Sequence, residues 1–218
     1  DSRAGSRALA RPWATVLALN GMAWVALAAG DFGGAERLLN EATSGRMIFD
    51  GMVWEEGRLH WHGLSFSLDP QDSGASELVL WKRPALIAQY EAFWARETGR
   101  VERVLELGLW KGGSMAFWSE TFRPTRMVGV DKAPRSQSAA FDRYVAERAE
   151  RLRVYWGVDQ GDSERLEMLV ATEFDGPLDL VIDDASHLYS PTPSSLQALL
   201  PRLRPNGRAR PPAPPPHT

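Results

Sequence analysis

The spacing of apolar positions changes character three times along the chain. Over 13–43 it is helical: Leu17, Met22, Ala23, Ala26 and Leu27 come first, a break follows at Gly30-Asp31, and Ala35, Leu38, Leu39 and Ala42 resume. This predicts a helical hairpin over 1–45. Over 46–76 the period shortens. Val53-Trp54, a turn at Glu56-Gly57, then Leu59, Trp61, Leu64 and Phe66 predict a β-hairpin with one apolar face, followed by a polar, turn-rich linker at 69–76. Over 77–207 short apolar runs alternate with amphipathic ones. Strands are expected at 104–107, 127–130, 153–156 and 178–182. Helices are expected from Pro84 to about Gly99 and at 113–122, 139–152, 163–174 and 194–203. Strands alternating with helices make a parallel sheet covered on both faces, so the fold class is α/β, doubly wound and Rossmann-like. The 178–182 strand is apolar enough to be buried on both sides.

Bulk properties narrow the function classes. The chain has 218 residues, 44% hydrophobic and 24% charged, enough for one sizeable domain and a smaller appendage. A net charge of −3 with scattered Lys and Arg gives no electrostatic footprint for nucleic acid or an anionic membrane. With no Cys there is no disulfide framework, thiolate metal site or Cys nucleophile. The apolar stretch 13–29 contains Asn20 and Gly21 and is shorter than a membrane span. The expectation is a soluble, cytoplasmic protein. Within the hairpin, Gly30-Asp31-Phe32 and the Ala35, Leu39 and Ala42 that follow resemble one tetratricopeptide-type repeat. One repeat cannot bury its own face, so a helical pair packed on the main domain or a partner subunit is expected rather than a peptide-binding array. His60 and His62 would share one side of a strand, and with no third ligand nearby they read as a solvated face.

Four segments carry candidate chemistry. In Val104-Leu-Glu106-Leu-Gly108-Leu-Trp-Lys111-Gly112-Gly113-Ser114 a strand runs into a glycine turn that opens a helix. Gly108 lets a backbone come close to a ligand, and Gly112-Gly113 frees amides at the helix start. The glycines are not spaced as in a dinucleotide fingerprint, and Lys111 precedes them, which excludes a P-loop. Val128-Gly-Val-Asp131 ends the next strand, 23 residues after Gly108. That is close to the roughly 20 expected for an acid on a ribose hydroxyl, although Asp131 can also cap the next helix. After the third strand, Asp159-Gln160 can meet an adenine edge, while Asp162 or Ser163 serves equally as an N-cap. The fourth strand ends in Asp183-Asp184-Ala-Ser-His187, beyond the carboxyl end of the sheet where ligands bind. An acid and a His three residues apart can hold a hard divalent ion beside a general base.

As a set, Glu106-Leu-Gly108 with Gly112-Gly113-Ser114, the Asp131 strand end, Asp159-Gln160 and Asp183-Asp184-Ala-Ser-His187 resemble class I S-adenosylmethionine-dependent methyltransferases. The nearest group includes the macrolide-sugar (mycinamicin-type) O-methyltransferases and the cephalosporin hydroxylase-like proteins, and the resemblance covers about 80–207. It implies that Glu106, Gly108, Gly112 and Ser114 surround the methionine end of the cofactor, that Asp131 holds the ribose, and that Asp159 and Gln160 lie near the adenine. It further implies Mg2+ held in part by Asp184, His187 as the base, and a small-molecule hydroxyl acceptor, a sugar or natural product.

The chain departs from the family after the 194–203 helix and the turn Arg204-Pro-Asn-Gly207. The expected fifth strand, ending in an acidic pair that completes the metal site, is replaced by 208–218, whose prolines cannot sit in a central strand. This tail reads either as the product of a frameshift or truncation, or as a linker or ligand for a proline-binding module. The expected consequence is that 178–182 becomes a bare apolar edge, open to pairing with another chain and to homo-oligomer formation. Two further readings follow: a truncated, non-catalytic cofactor-binding or interaction protein, and another nucleotide-binding α/β enzyme such as a dehydrogenase, which the glycine spacing disfavours.

Overall fold

The structure is a computed structural model. It describes residues 16–18, 24–25, 49, 51–82, 87, 90–91, 100–185 and 191–204. At its centre lies a six-stranded sheet: β1 (Val16–Ala18), β2 (Trp24–Val25), β7 (Arg103–Leu107), β8 (Arg126–Asp131), β9 (Leu152–Trp156) and β10 (Leu180–Asp183). Its order is β2-β1-β10-β7-β8-β9, parallel throughout except for the β1–β2 pair. Helices among the described residues include α1 (Gly113–Phe122), α2 (Ala139–Ala146), α3 (Ser163–Glu173) and α4 (Pro191–Leu199), with a 3-10 turn at Leu200–Arg202. The expected α/β alternation is present, with strand and helix positions from residue 103 onward close to those the periodicity predicts; of the expected helix from Pro84, Ile87, Tyr90 and Glu91 are helical and most of the rest lies outside the described residues.

Period-two alternation explains how the sheet is buried on both faces. Val104, Met127, Leu180 and Ile182 face one core, with Met115, Phe117, Trp118, Phe141 and Tyr144. Leu105, Leu107, Val128, Val130 and Val181 face the other, with Leu166, Leu169, Val170, Ala198 and Leu199. Such burial is worth about 1.5–3 kcal/mol for each large apolar side chain. Side-chain caps start two of the helices. Ser138 Oγ accepts from the Phe141 amide at α2, and Asp162 Oδ1 accepts from the Arg165 amide at α3, which decides the Asp162 alternative in favour of a cap.

A second sheet holds β3 (Val53–Glu55), β4 (Arg58–Trp61), β5 (Leu64–Ser67) and β6 (Leu78–Val79) in that order. The first three strands form an antiparallel meander, and β6 returns parallel to β5. The expected two-stranded hairpin is therefore three-stranded, because His62-Gly63, both at positive φ (47° and 80°), makes a second tight turn. This separates the two histidines. His60 sits in β4 with Nε2 3.1 Å from Glu55 Oε2, while His62 is in the turn. The core runs across the division expected at residue 77: Leu59, Trp61 and Phe66 belong to the same cluster as Phe117 and Met127. The 69–76 linker docks on α2, where Gly74 O accepts from the Ala140 amide and from Ser138 Oγ.

The largest correction falls at the N-terminal end. Helical spacing predicts helix through 16–25, yet Val16–Ala18 and Trp24–Val25 are strands. The rest of the expected helical hairpin, including the repeat-like run, lies outside the described residues, as does the proline-rich tail. β1 pairs in parallel with β10, Val16 opposite Val181 and Ala18 opposite Asp183. The 178–182 edge is thus covered by the chain itself. An unpaired edge offers a whole row of ladder hydrogen bonds, and this pull exceeds weak helical periodicity in a segment that contains Val16 and Val25.

Candidate functional site

The carboxyl ends of β7, β8, β9 and β10 open into a cleft of about 400 Å³. From the large sheet it is lined by Gly108, Leu109, Trp110, Ser114, Asp131, Lys132, Asp159, Gln160, Asp184 and Ala185, and from the exit of β6 by Val79, Leu80, Trp81 and Lys82. The small sheet therefore supplies one wall of the cleft. Gly113 makes this possible, since a Cβ there would lie 2.0 Å from Val79 O.

Asp131 anchors the glycine turn. Its Oδ2 accepts from the amides of Leu109 (2.7 Å) and Trp110 (2.8 Å), and its Oδ1 from that of Ala133 (2.7 Å). Helix capping is not its role, since Ser138 caps α2. Each carboxylate oxygen carries two lone pairs, so one acceptor position, on Oδ1, remains for a hydroxyl donor from the cleft. Gly108 adopts φ 85°, and a Cβ there would come 2.4 Å from Ala185 Cα, so the close approach it permits is that of the β10 exit strand. Gly112, at φ 77°, faces the Phe141 ring and lies behind the cleft wall. It caps α1 without a side-chain hydrogen bond, which leaves the first amides of that helix uncapped.

Glu106 also lies behind the wall. It is fully buried; Ser114 Oγ donates to its Oε1 at 2.5 Å, while Oε2 has no hydrogen-bond partner. Burial pushes its carboxyl up to about 8, with Asp184 adding to the rise and the Ser114 hydrogen bond and Lys82 opposing it. At the other end of the cleft, Asp159 pairs with Lys132 at 2.7 Å, which holds its carboxyl below the usual range together with the Gly161 amide. Gln160 is buried, and its Nε2 lies 3.3 Å from Asp183 Oδ2.

Asp184 meets a partner that sequence reading missed. Lys82 Nζ stands 2.5 Å from its Oδ2, with the two side chains 6% and 13% exposed, so this pair is desolvated. The available signal was the basic pair Lys82-Arg83 closing the apolar run Leu78-Val-Leu-Trp81 before Pro84. Trp81 and Trp110 were missed as well; they line the mouth with ring centroids 5.9 Å apart. His187 lies outside the described residues. Among the described residues no group of three or more His, Asp or Glu is placed to hold a metal ion. Asp184 is the one expected ligand in the cleft, and its carboxylate is engaged by an ammonium. No helix among the described residues is long and apolar enough to cross a membrane.

This arrangement can bind an elongated ligand at the rim of a parallel sheet, with carboxylates at the hydroxyl-binding positions. The family described as "Methyltransferase domain" matches residues 105–208, which run from the middle of β7 through β10 and hold all but the β6 wall of the cleft. Over these residues the chain is similar to that family. The chain is 37% identical over 112 residues to the mycinamicin VI 2''-O-methyltransferase of Micromonospora griseorubida, a match covering 48% of this chain and 25% of that protein. It is 33% identical over 135 residues to the 8-demethyl-8-alpha-L-rhamnosyl tetracenomycin-C 2'-O-methyltransferase of Streptomyces olivaceus, covering 58% and 32%. It thus spans a quarter to a third of the length of these relatives. A solved structure of a methyltransferase from the mycinamycin biosynthetic pathway, in complex with Mg, SAH and mycinamycin VI, aligns with TM-score 0.41 and 30% identity over 56% of this chain and 30% of that one.

Proposed function

We propose that the chain is the cofactor-binding part of an S-adenosylmethionine-dependent O-methyltransferase acting on a sugar or natural-product hydroxyl. The observation that carries this reading is the cleft itself, in which Asp131 locks the glycine turn while Asp159, Gln160 and Asp184 line the same rim. In this reading Asp131 takes a ribose hydroxyl, Asp159 and Gln160 border the adenine, and Ser114, backed by Glu106, borders the methionine end. The acceptor enters beside Asp184. The bound cofactor would supply the methyl group to the acceptor hydroxyl, and His187 would take that hydroxyl's proton. A magnesium ion would have to displace Lys82 from Asp184, and would then lower the pKa of the acceptor hydroxyl. Juxtaposing the two reactants supplies much of the rate.

The test is calorimetric titration of the chain with S-adenosylhomocysteine, repeated on Asp131→Ala. Micromolar binding that the substitution abolishes is the expected result. A folded chain that binds no S-adenosylhomocysteine would sink the proposal.

A further inference from the structure

We infer that Lys82 is the anchor for the α-carboxylate of the cofactor's amino-acid end, an assignment that rests on the cofactor reading above. The strand order sets the argument. Asp184 follows β10, the glycine turn follows β7, Asp131 follows β8 and Asp159 follows β9. Along the rim, β10 to β9 is three inter-strand spacings, roughly 14 Å. An elongated nucleoside amino acid with its sugar at β8 and its base at β9 therefore lays its amino-acid end across β7 and β10. S-adenosylmethionine carries one anionic group, the carboxylate at that end.

Two lysines line the cleft, and they differ in kind. Lys132 is 80% exposed and pairs with Asp159 at the base end. Lys82 is buried at the amino-acid end and reaches it because β6 passes directly over the start of α1. The uncapped first amides of α1 belong to the same end, where Gly113 and Ser114 line the cleft. A desolvated ammonium that lines the same cleft as a helix start without a side-chain cap makes a carboxylate site. Without ligand, Lys82 rests on Asp184. A zwitterionic ligand can replace that contact while every charge stays paired, which avoids the cost of a buried lone charge.

The experiment compares three nucleosides by calorimetry on the full chain in EDTA. S-Adenosylhomocysteine has the carboxylate, its decarboxylated amine analogue lacks that group alone, and methylthioadenosine lacks the amino-acid end altogether. For Lys82→Gln, affinity for S-adenosylhomocysteine is expected to fall tenfold or more, to the level of the decarboxylated analogue. Methylthioadenosine affinity should stay within twofold, which also shows that the site is folded, and Lys82→Arg should restore much of the loss. Unchanged S-adenosylhomocysteine affinity in Lys82→Gln overturns the assignment. So does an equal loss for all three nucleosides, which would make Lys82 a structural residue. A wild-type chain that takes up none of them overturns the cofactor reading and this assignment with it.

Discussion

The two ends of the cleft are built differently. At the β8–β9 end, Asp131 and Asp159 are held largely by backbone amides of nearby turns, and the one ion pair, Lys132–Asp159, is open to water. At the β10 end, Lys82 and Asp184 lie 102 positions apart in the chain and meet in a desolvated contact above the buried Glu106. The first end is local and inexpensive to assemble. The second concentrates charge in low dielectric, where each group depends on its partner. A ligand that is neutral at its base and zwitterionic at its other end matches this division.

The comparison can be broken most sharply at the buried pair. Lys82→Met should cost about 3–5 kcal/mol in chemical denaturation, because it removes the cation from a desolvated ion pair. A loss below about 1 kcal/mol, the range of exposed pairs, would mean that the contact is hydrated and the two ends are alike. Next comes Asp131→Ala, which removes the acceptor for three backbone amides and should cost about 2–4 kcal/mol. Asp131→Asn keeps one oxygen for the turn and should cost less. An alanine variant as stable as the wild type would show that water replaces the carboxylate fully.

Glu106 sharpens the contrast through pH. Its folded carboxyl sits near 8 against an ordinary 4.5, so the folded chain keeps a proton that the unfolded chain has released. The stability associated with that proton is complete below the ordinary value and is lost as pH rises toward about 8. Glu106→Gln, neutral at every pH, should flatten this part of the stability profile, a change on the order of 1–3 kcal/mol between pH 5 and 8. Identical profiles for the two proteins would place the proton elsewhere. The smallest effect belongs to Lys132→Ala, where no change in unfolding midpoint is expected because both partners are exposed. A measurable shift there would mean that the base end is less open than its geometry indicates.

Much of the lining of the cleft was legible in the sequence. The glycine turn, Asp131, Asp159, Gln160 and Asp184 stand directly after strands, and a strand end in a parallel sheet has one place to go. Lys82 was not legible in this way. Its neighbours mark it as half of a basic pair closing an apolar run, but its partner is fixed by the path of β6 over α1. Trp81 and Trp110 face each other for the same reason. The helical reading of 16–25 failed because periodicity reports which faces are apolar, whereas the pairing of β1 depends on the open edge of β10 far along the chain.

What the sequence determined by itself was therefore whatever depends on near neighbours: the strand–helix alternation, the turn glycines, the helix caps and the acids at strand ends. Tertiary structure decided which distant segments meet. It placed the small sheet on the start of α1, seated Lys82 on Asp184, buried Glu106 beneath Ser114 and covered the β10 edge with β1. The physical reason is range. Backbone propensities and capping hydrogen bonds act over a few residues, whereas desolvation and edge pairing act between surfaces that come together only once the chain has packed.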